Sequence, residues 1–99
     1  MDRLYALVFD RDESINFVGL HNFIRDAPGI TNWWHYIKSM YILRTAETPA
    51  SLRDQFRPYF GGNHFLVYEL APPNSEGRLS PKAWAWIQKQ ETELGRSQD

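Results

Sequence analysis

Ninety-nine residues amount to one domain with room for a single core, and hydrophobic residues at 42% with aromatics at 15% supply enough apolar surface to offset chain entropy, which excludes a disordered chain. Eleven basic residues against 12 acidic ones leave a formal net charge of -1, so no global field draws in nucleic acid or an anionic membrane, and polyanion contact falls to a local patch. The absence of cysteine excludes disulfides, thiol catalysis and thiolate metal sites together.

Leu4-Tyr5-Ala6-Leu7-Val8-Phe9 is a continuous apolar run closed by Asp10-Arg11-Asp12-Glu13, the pattern of a strand covered on both faces. Ser14 is the expected cap of a first helix, in which Phe17, Leu20, Phe23, Ile24 and Ala27 fall on an arc of roughly 120° while Asn22, Arg25 and Asp26 lie opposite. Pro28-Gly29 ends it. The run from Trp33 to Thr45 is rich in β-branched and aromatic residues, lacks Gly and Pro, and outruns the usual strand of about five or six residues. It predicts two strands meeting in a hairpin near Lys38-Ser39.

Thr48-Pro49 starts a second helix with a capping hydroxyl and a proline in the first turn, and Leu52, Phe56, Tyr59 and Phe60 form its buried stripe. Pro58 is expected to kink or end that helix, because it lacks an amide hydrogen. Gly61-Gly62-Asn63 reads as a turn, His64 to Leu70 as a fourth strand, and Pro72 to Gly77 as a surface loop. Ser80-Pro81 opens a third helix with Ala83, Ile87 and Leu94 central on its apolar side and Trp84 and Trp86 on the flanks. The expectation is one domain over residues 1–94 and a frayed tail over 95–99.

The order β-α-β-β-α-β plus a C-terminal helix predicts an α+β protein of ferredoxin-like, split βαβ arrangement with an antiparallel sheet. Right-handed crossovers put the first two helices on one sheet face. Since strands one and four are apolar on both sides, something has to shield the other face: the third helix, or a second copy of the chain. One short helix covers only part of a four-stranded sheet, so a homodimer is the preferred expectation. No apolar stretch approaches the roughly 20 residues that cross a bilayer, and Met1-Asp2-Arg3 lacks the features of a signal peptide, so a cytoplasmic protein without membrane contact is expected.

At Leu7-Val8-Phe9-Asp10, Tyr36-Ile37-Lys38-Ser39-Met40-Tyr41 and Leu52-Arg53-Asp54-Gln55-Phe56-Arg57-Pro58 the chain resembles the small Cas2-like proteins, a group that includes a CRISPR-associated endonuclease, the VapD-like toxins and uncharacterised SinR-like relatives. It looks closest to the uncharacterised relatives, whose ending is also similar to Gly77-Arg78-Leu79-Ser80-Pro81-Lys82-Ala83-Trp84-Ala85-Trp86-Ile87. The resemblance covers residues 4 to about 70 and implies a homodimer with an acidic residue at the end of strand one of each subunit, facing its partner across the dyad. In the nuclease members those carboxylates hold a divalent metal, and Asp10 is the matching position. Such members also carry basic residues beyond that aspartate, where this chain offers Arg11 and Arg25 among Asp12, Glu13 and Asp26.

Asp10 is therefore the candidate catalytic residue and magnesium (Mg2+) ligand, weighed against an Asx turn in which the carboxylate merely satisfies loop amides. Asp12 and Glu13 stand as auxiliary ligands or as solvated residues at a helix N-terminus. Arg11, Arg44, Arg53 and Arg57 are the candidate nucleic-acid contacts, weighed against intrahelical pairing of Arg53 or Arg57 with Asp54. Tyr5, Trp33, Tyr41, Trp84 and Trp86 are candidate core or dimer aromatics, with base stacking by Trp33, His35 and Tyr41 as the competing use. His21, His35 and His64 are too dispersed in sequence for a recognised metal spacing, and no serine sits in a nucleophile elbow. Two functions follow: a non-catalytic dimeric interaction module, and a metal-dependent endonuclease of RNA or DNA using Asp10 from each subunit.

Overall fold

The computed structural model describes residues 1–35, 37–72 and 76–94. The expected frayed tail, Pro73-Asn74-Ser75 of the expected loop and Tyr36 of the expected hairpin lie outside the described residues. The chain runs β1 (Arg3–Phe9), α1 (Phe17–Asp26), β2 (Ile30–Trp34), β3 (Met40–Thr45), α2 (Pro49–Phe60), β4 (Phe65–Glu69) and α3 (Pro81–Glu93). It is an α+β protein with one four-stranded antiparallel sheet in the order β2-β3-β1-β4. Among the described residues no helix is long and apolar enough to cross a membrane.

β1 is interior because both of its faces are apolar: Leu7 stands opposite Tyr41 and Val67, and its neighbour Ala6 opposite Ile42 and Tyr68. The pleat sorts these into two layers. Tyr5, Leu7, Phe9, Tyr41 and Leu43 face α1 and α2, where Leu20, Ile24, Leu52, Phe56 and Phe60 complete the larger core. Leu4, Trp34 and Ile42 face α3, where Ala83 and Ile87 meet them.

The helix ends show where local chemistry prevails. α1 is capped by Asn16 and not by Ser14: the Gly19 amide donates to Asn16 Oδ1 at 2.9 Å, while the Ser14 hydroxyl donates to Asp12 at 2.7 Å. The chain first turns inward to bury Ile15, which delays the helix start past the expected cap. A Cβ on Gly19 would lie 2.5 Å from Asn16 Nδ2, so glycine is what lets this cap close. α2 begins as its Thr48-Pro49 signal predicts, with the Ser51 amide donating to Thr48 Oγ1 at 3.1 Å. It passes Pro58 and stops two residues later at Phe60. Proline there removes one rung in the last turn, a small loss beside the burial of Phe60.

β2 begins at Ile30, earlier than the aromatic run suggests, with an irregularity between Ile30 and Asn32 where it pairs with β3. α3 is fastened to the sheet by Arg44 on β3, which donates to Gln90 Oε1 at 3.0 Å and to Asp2 at 3.2 Å and also binds Glu93. α3 shields the second face only in part. On β4, Leu66 is 57% and Tyr68 40% exposed.

Candidate functional site

The richest chemistry gathers at the sheet end where β1 finishes and β3 begins. The Phe9 amide donates to the Ser39 carbonyl at 3.1 Å, which draws Ser39 against the end of β1. Strand alternation carries Trp33, His35 and Tyr41 to the α1 side, and helical periodicity stacks His21 one turn beyond Phe17 over them. Between them opens a cleft of about 340 Å³, walled by Phe9, Phe17, His21, His35 and Tyr41 and rimmed by Arg11, Val18, Asn22 and Lys38.

Its side chains are locked to one another. His21 Nδ1 and the Tyr41 hydroxyl are 3.0 Å apart, and His35 lies flat on Tyr41 with ring centroids 3.9 Å apart and planes inclined by 12°. Trp33 meets His21 edge-on at 5.2 Å. The Lys38 carbonyl accepts from Arg11 Nη1 at 3.2 Å and from His35 Nε2 at 3.3 Å. A carbonyl only accepts, so His35 carries a hydrogen on Nε2, and in the neutral ring Nδ1 is an acceptor. The Arg11 guanidinium sits 4.7 Å over the Phe17 ring.

Burial pushes the His35 imidazole below the ordinary histidine range; the Lys38 carbonyl pulls the other way, and electrostatic repulsion from His21 and Arg11 adds to the depression. Burial likewise pushes the Tyr41 hydroxyl up. The cleft therefore favours a neutral His35 and a protonated Tyr41, a wall of rings below a cationic rim.

Asp10 stands apart, exposed at the end of β1, where with Val8, His64 and Leu66 it lines a shallow depression. The Asx turn expected of it belongs to Asp12, whose Oδ1 accepts from the Ser14 amide at 2.9 Å. Those bonds hold the Asp12 carboxyl below its ordinary value, the backbone one first. Among the described residues no hydrogen bond or ion pair reaches Asp10, and no group of three or more His, Asp or Glu side chains is placed to share an ion.

The four candidate arginines fall in three parts of the chain, with Arg53 and Arg57 together on α2. Arg44 is drawn into the α3 fastening, while Arg53 Nε pairs with Asp54 at 3.0 Å and Arg57 Nη2 reaches the same carboxylate at 3.6 Å. Arg53, then Arg57, hold the Asp54 carboxyl low. Arg11 alone of the four borders the cleft. Among the aromatics, Tyr5 and Tyr41 are buried in the helix-side core with Trp33 half-buried against it, so Tyr41 is not an exposed stacking platform. Trp84 and Trp86 are half-buried in the α3 cluster.

Sequence reasoning set His21 and His35 aside as dispersed, yet the fold puts their rings 6.5 Å apart. The signal was the shared parity of His35 and Trp33 on one strand, combined with the one-turn offset of His21 from Phe17. No protein-family model, no curated protein and no solved structure matches this chain.

Proposed function

We propose that this protein is a non-catalytic interaction module of ferredoxin-like, Cas2-like arrangement that pairs with a second copy through the β4 side of its sheet. The arrangement is supported by the β-α-β-β-α-β order of the first six elements and by β1 lying between β3 and β4, so that each helical crossover passes over one intervening strand. The observation that carries the pairing is the exposure of Leu66 and Tyr68 on β4, an edge strand, on the face α3 leaves partly open. Exposed apolar side chains on an edge strand are the kind of strip that two copies can share about a two-fold axis.

Light scattering of the full chain at tens of micromolar tests the reading. A mass twice that of the chain for wild type, and a single-chain mass for Leu66→Lys with unchanged circular dichroism, supports it. A wild-type monomer, or a Leu66→Lys dimer, refutes it.

A second reading, a metal-dependent endonuclease, is favoured by the unengaged Asp10 carboxylate, which borders the same depression as Leu66. A second copy seated on Leu66 would bring its own Asp10 toward this one, so that two carboxylates could share one ion. Magnesium-dependent cleavage of RNA or DNA that disappears in Asp10→Asn, with dimer mass retained, establishes this reading; equal cleavage by wild type and Asp10→Asn excludes it.

A further inference from the structure

We infer that the cleft between α1 and the β2–β3 connection binds a small phosphate monoester carrying a planar ring, of mononucleotide size, with the phosphate at Arg11 and Lys38 and the ring against Phe17 and His35. At about 340 Å³ the cleft fits one nucleotide unit and is too small for a folded strand. That volume lies at the lower end of the roughly 300–1,000 Å³ of small-molecule sites.

Charge selects an anion. Arg3, Arg25, Arg44, Arg53 and Arg57 each face a carboxylate; among the described residues Arg11 and Lys38, like Arg78, Lys82 and Lys89, face none, but only Arg11 and Lys38 of these line the cleft, and no acidic side chain lines it. The Lys38 carbonyl uses one Arg11 donor, and the rest of the guanidinium fork remains for a ligand. A phosphate monoester, with three terminal oxygens, suits a cleft lined by two cations and the Asn22 amide better than a two-oxygen carboxylate does. The remaining surface is apolar and aromatic. Arg11 lies over the Phe17 ring, Val18 is exposed at the rim, and His35 is held flat by Tyr41, so these side chains are already ordered and a ligand ring packs beside them at little entropic cost. This site is on the α1 side of the sheet, apart from Leu66 and Tyr68, and stands or falls independently of the pairing.

The test is titration of the full ¹⁵N-labelled chain with adenosine 5′-monophosphate, adenosine and inorganic phosphate, followed by amide shifts and dissociation constants. Saturable shifts from the monophosphate centred on residues 17–22 and 35–41 are expected, with adenosine and phosphate each weaker by about tenfold or more. Arg11→Gln combined with Lys38→Gln is expected to weaken the monophosphate by about tenfold or more, while Arg53→Gln combined with Arg57→Gln, an equal loss of charge elsewhere, leaves it unchanged. Lys38 makes no side-chain hydrogen bond or ion pair among the described residues, so Lys38→Gln alone keeps the fold and is expected to weaken binding several-fold. Absence of saturable shifts at the cleft, phosphate binding as tight as the monophosphate, or an equal effect of the Arg53 and Arg57 changes and of the Arg11 and Lys38 changes would overturn the assignment.

Discussion

His35 and Tyr41 stack ring on ring, 3.9 Å between centroids, although one leaves β2 and the other enters β3 across the hairpin. The contact clamps the connection that carries Lys38, whose carbonyl in turn holds Arg11. One aromatic pair therefore positions both cations of the cleft rim.

The stack predicts a pH dependence of stability. Burial lowers the His35 pKa in the fold, so below the unfolded value of about 6.5 the unfolded chain binds more protons and stability falls as pH falls, until the folded pKa is also passed. The melting temperature of wild type is expected to drop more steeply between about pH 7.5 and 5.5 than that of His35→Gln, as read by circular dichroism. Parallel curves would show that His35 titrates alike in both states.

Gly61 ends α2 at φ 58° and ψ -123°, a region that side-chain-bearing residues rarely enter. A Cβ there meets nothing within 4 Å, so any loss on substitution comes from the backbone alone. Gly61→Ala is expected to destabilise by about 1–3 kcal/mol in urea unfolding, while Gly62→Ala, equally open, changes stability by less than about 1 kcal/mol.

Arg44 is the fastening of α3. Its replacement by Leu strands the buried Gln90 oxygen and unpairs Asp2 and Glu93, an expected loss of about 1–3 kcal/mol. Tryptophan emission should move to longer wavelength as Trp84 and Trp86 loosen. Arg44→Leu with Gln90→Leu should recover part of that loss, because the stranded acceptor is then gone.

Much of the architecture was legible because strand and helix periods are local. The apolar run Leu4 to Phe9 marked the interior strand, and the capping pairs Thr48-Pro49 and Ser80-Pro81 marked two helix starts at the right residues. The first cap was misassigned because the burial of Ile15, a tertiary event, outweighs the capping propensity of Ser14. Gln90 escaped notice for a similar reason: a polar residue on the inner side of a helix is recognisable only once Arg44, distant in sequence, is known to meet it. The cleft joins positions 11, 21, 35, 38 and 41 from four parts of the chain, and the expected site, Asp10, lies outside it.

Hydrogen–deuterium exchange of the wild-type chain, read segment by segment at about 1 and about 100 µM, tests the central claim most directly, because it both detects association and locates it. Slower exchange at the higher concentration over residues 64–70, with α1 and α2 unchanged, is the predicted result. Identical exchange of β4 at both concentrations, or slowing confined to the outer surfaces of α1 and α2, would contradict pairing through Leu66 and Tyr68.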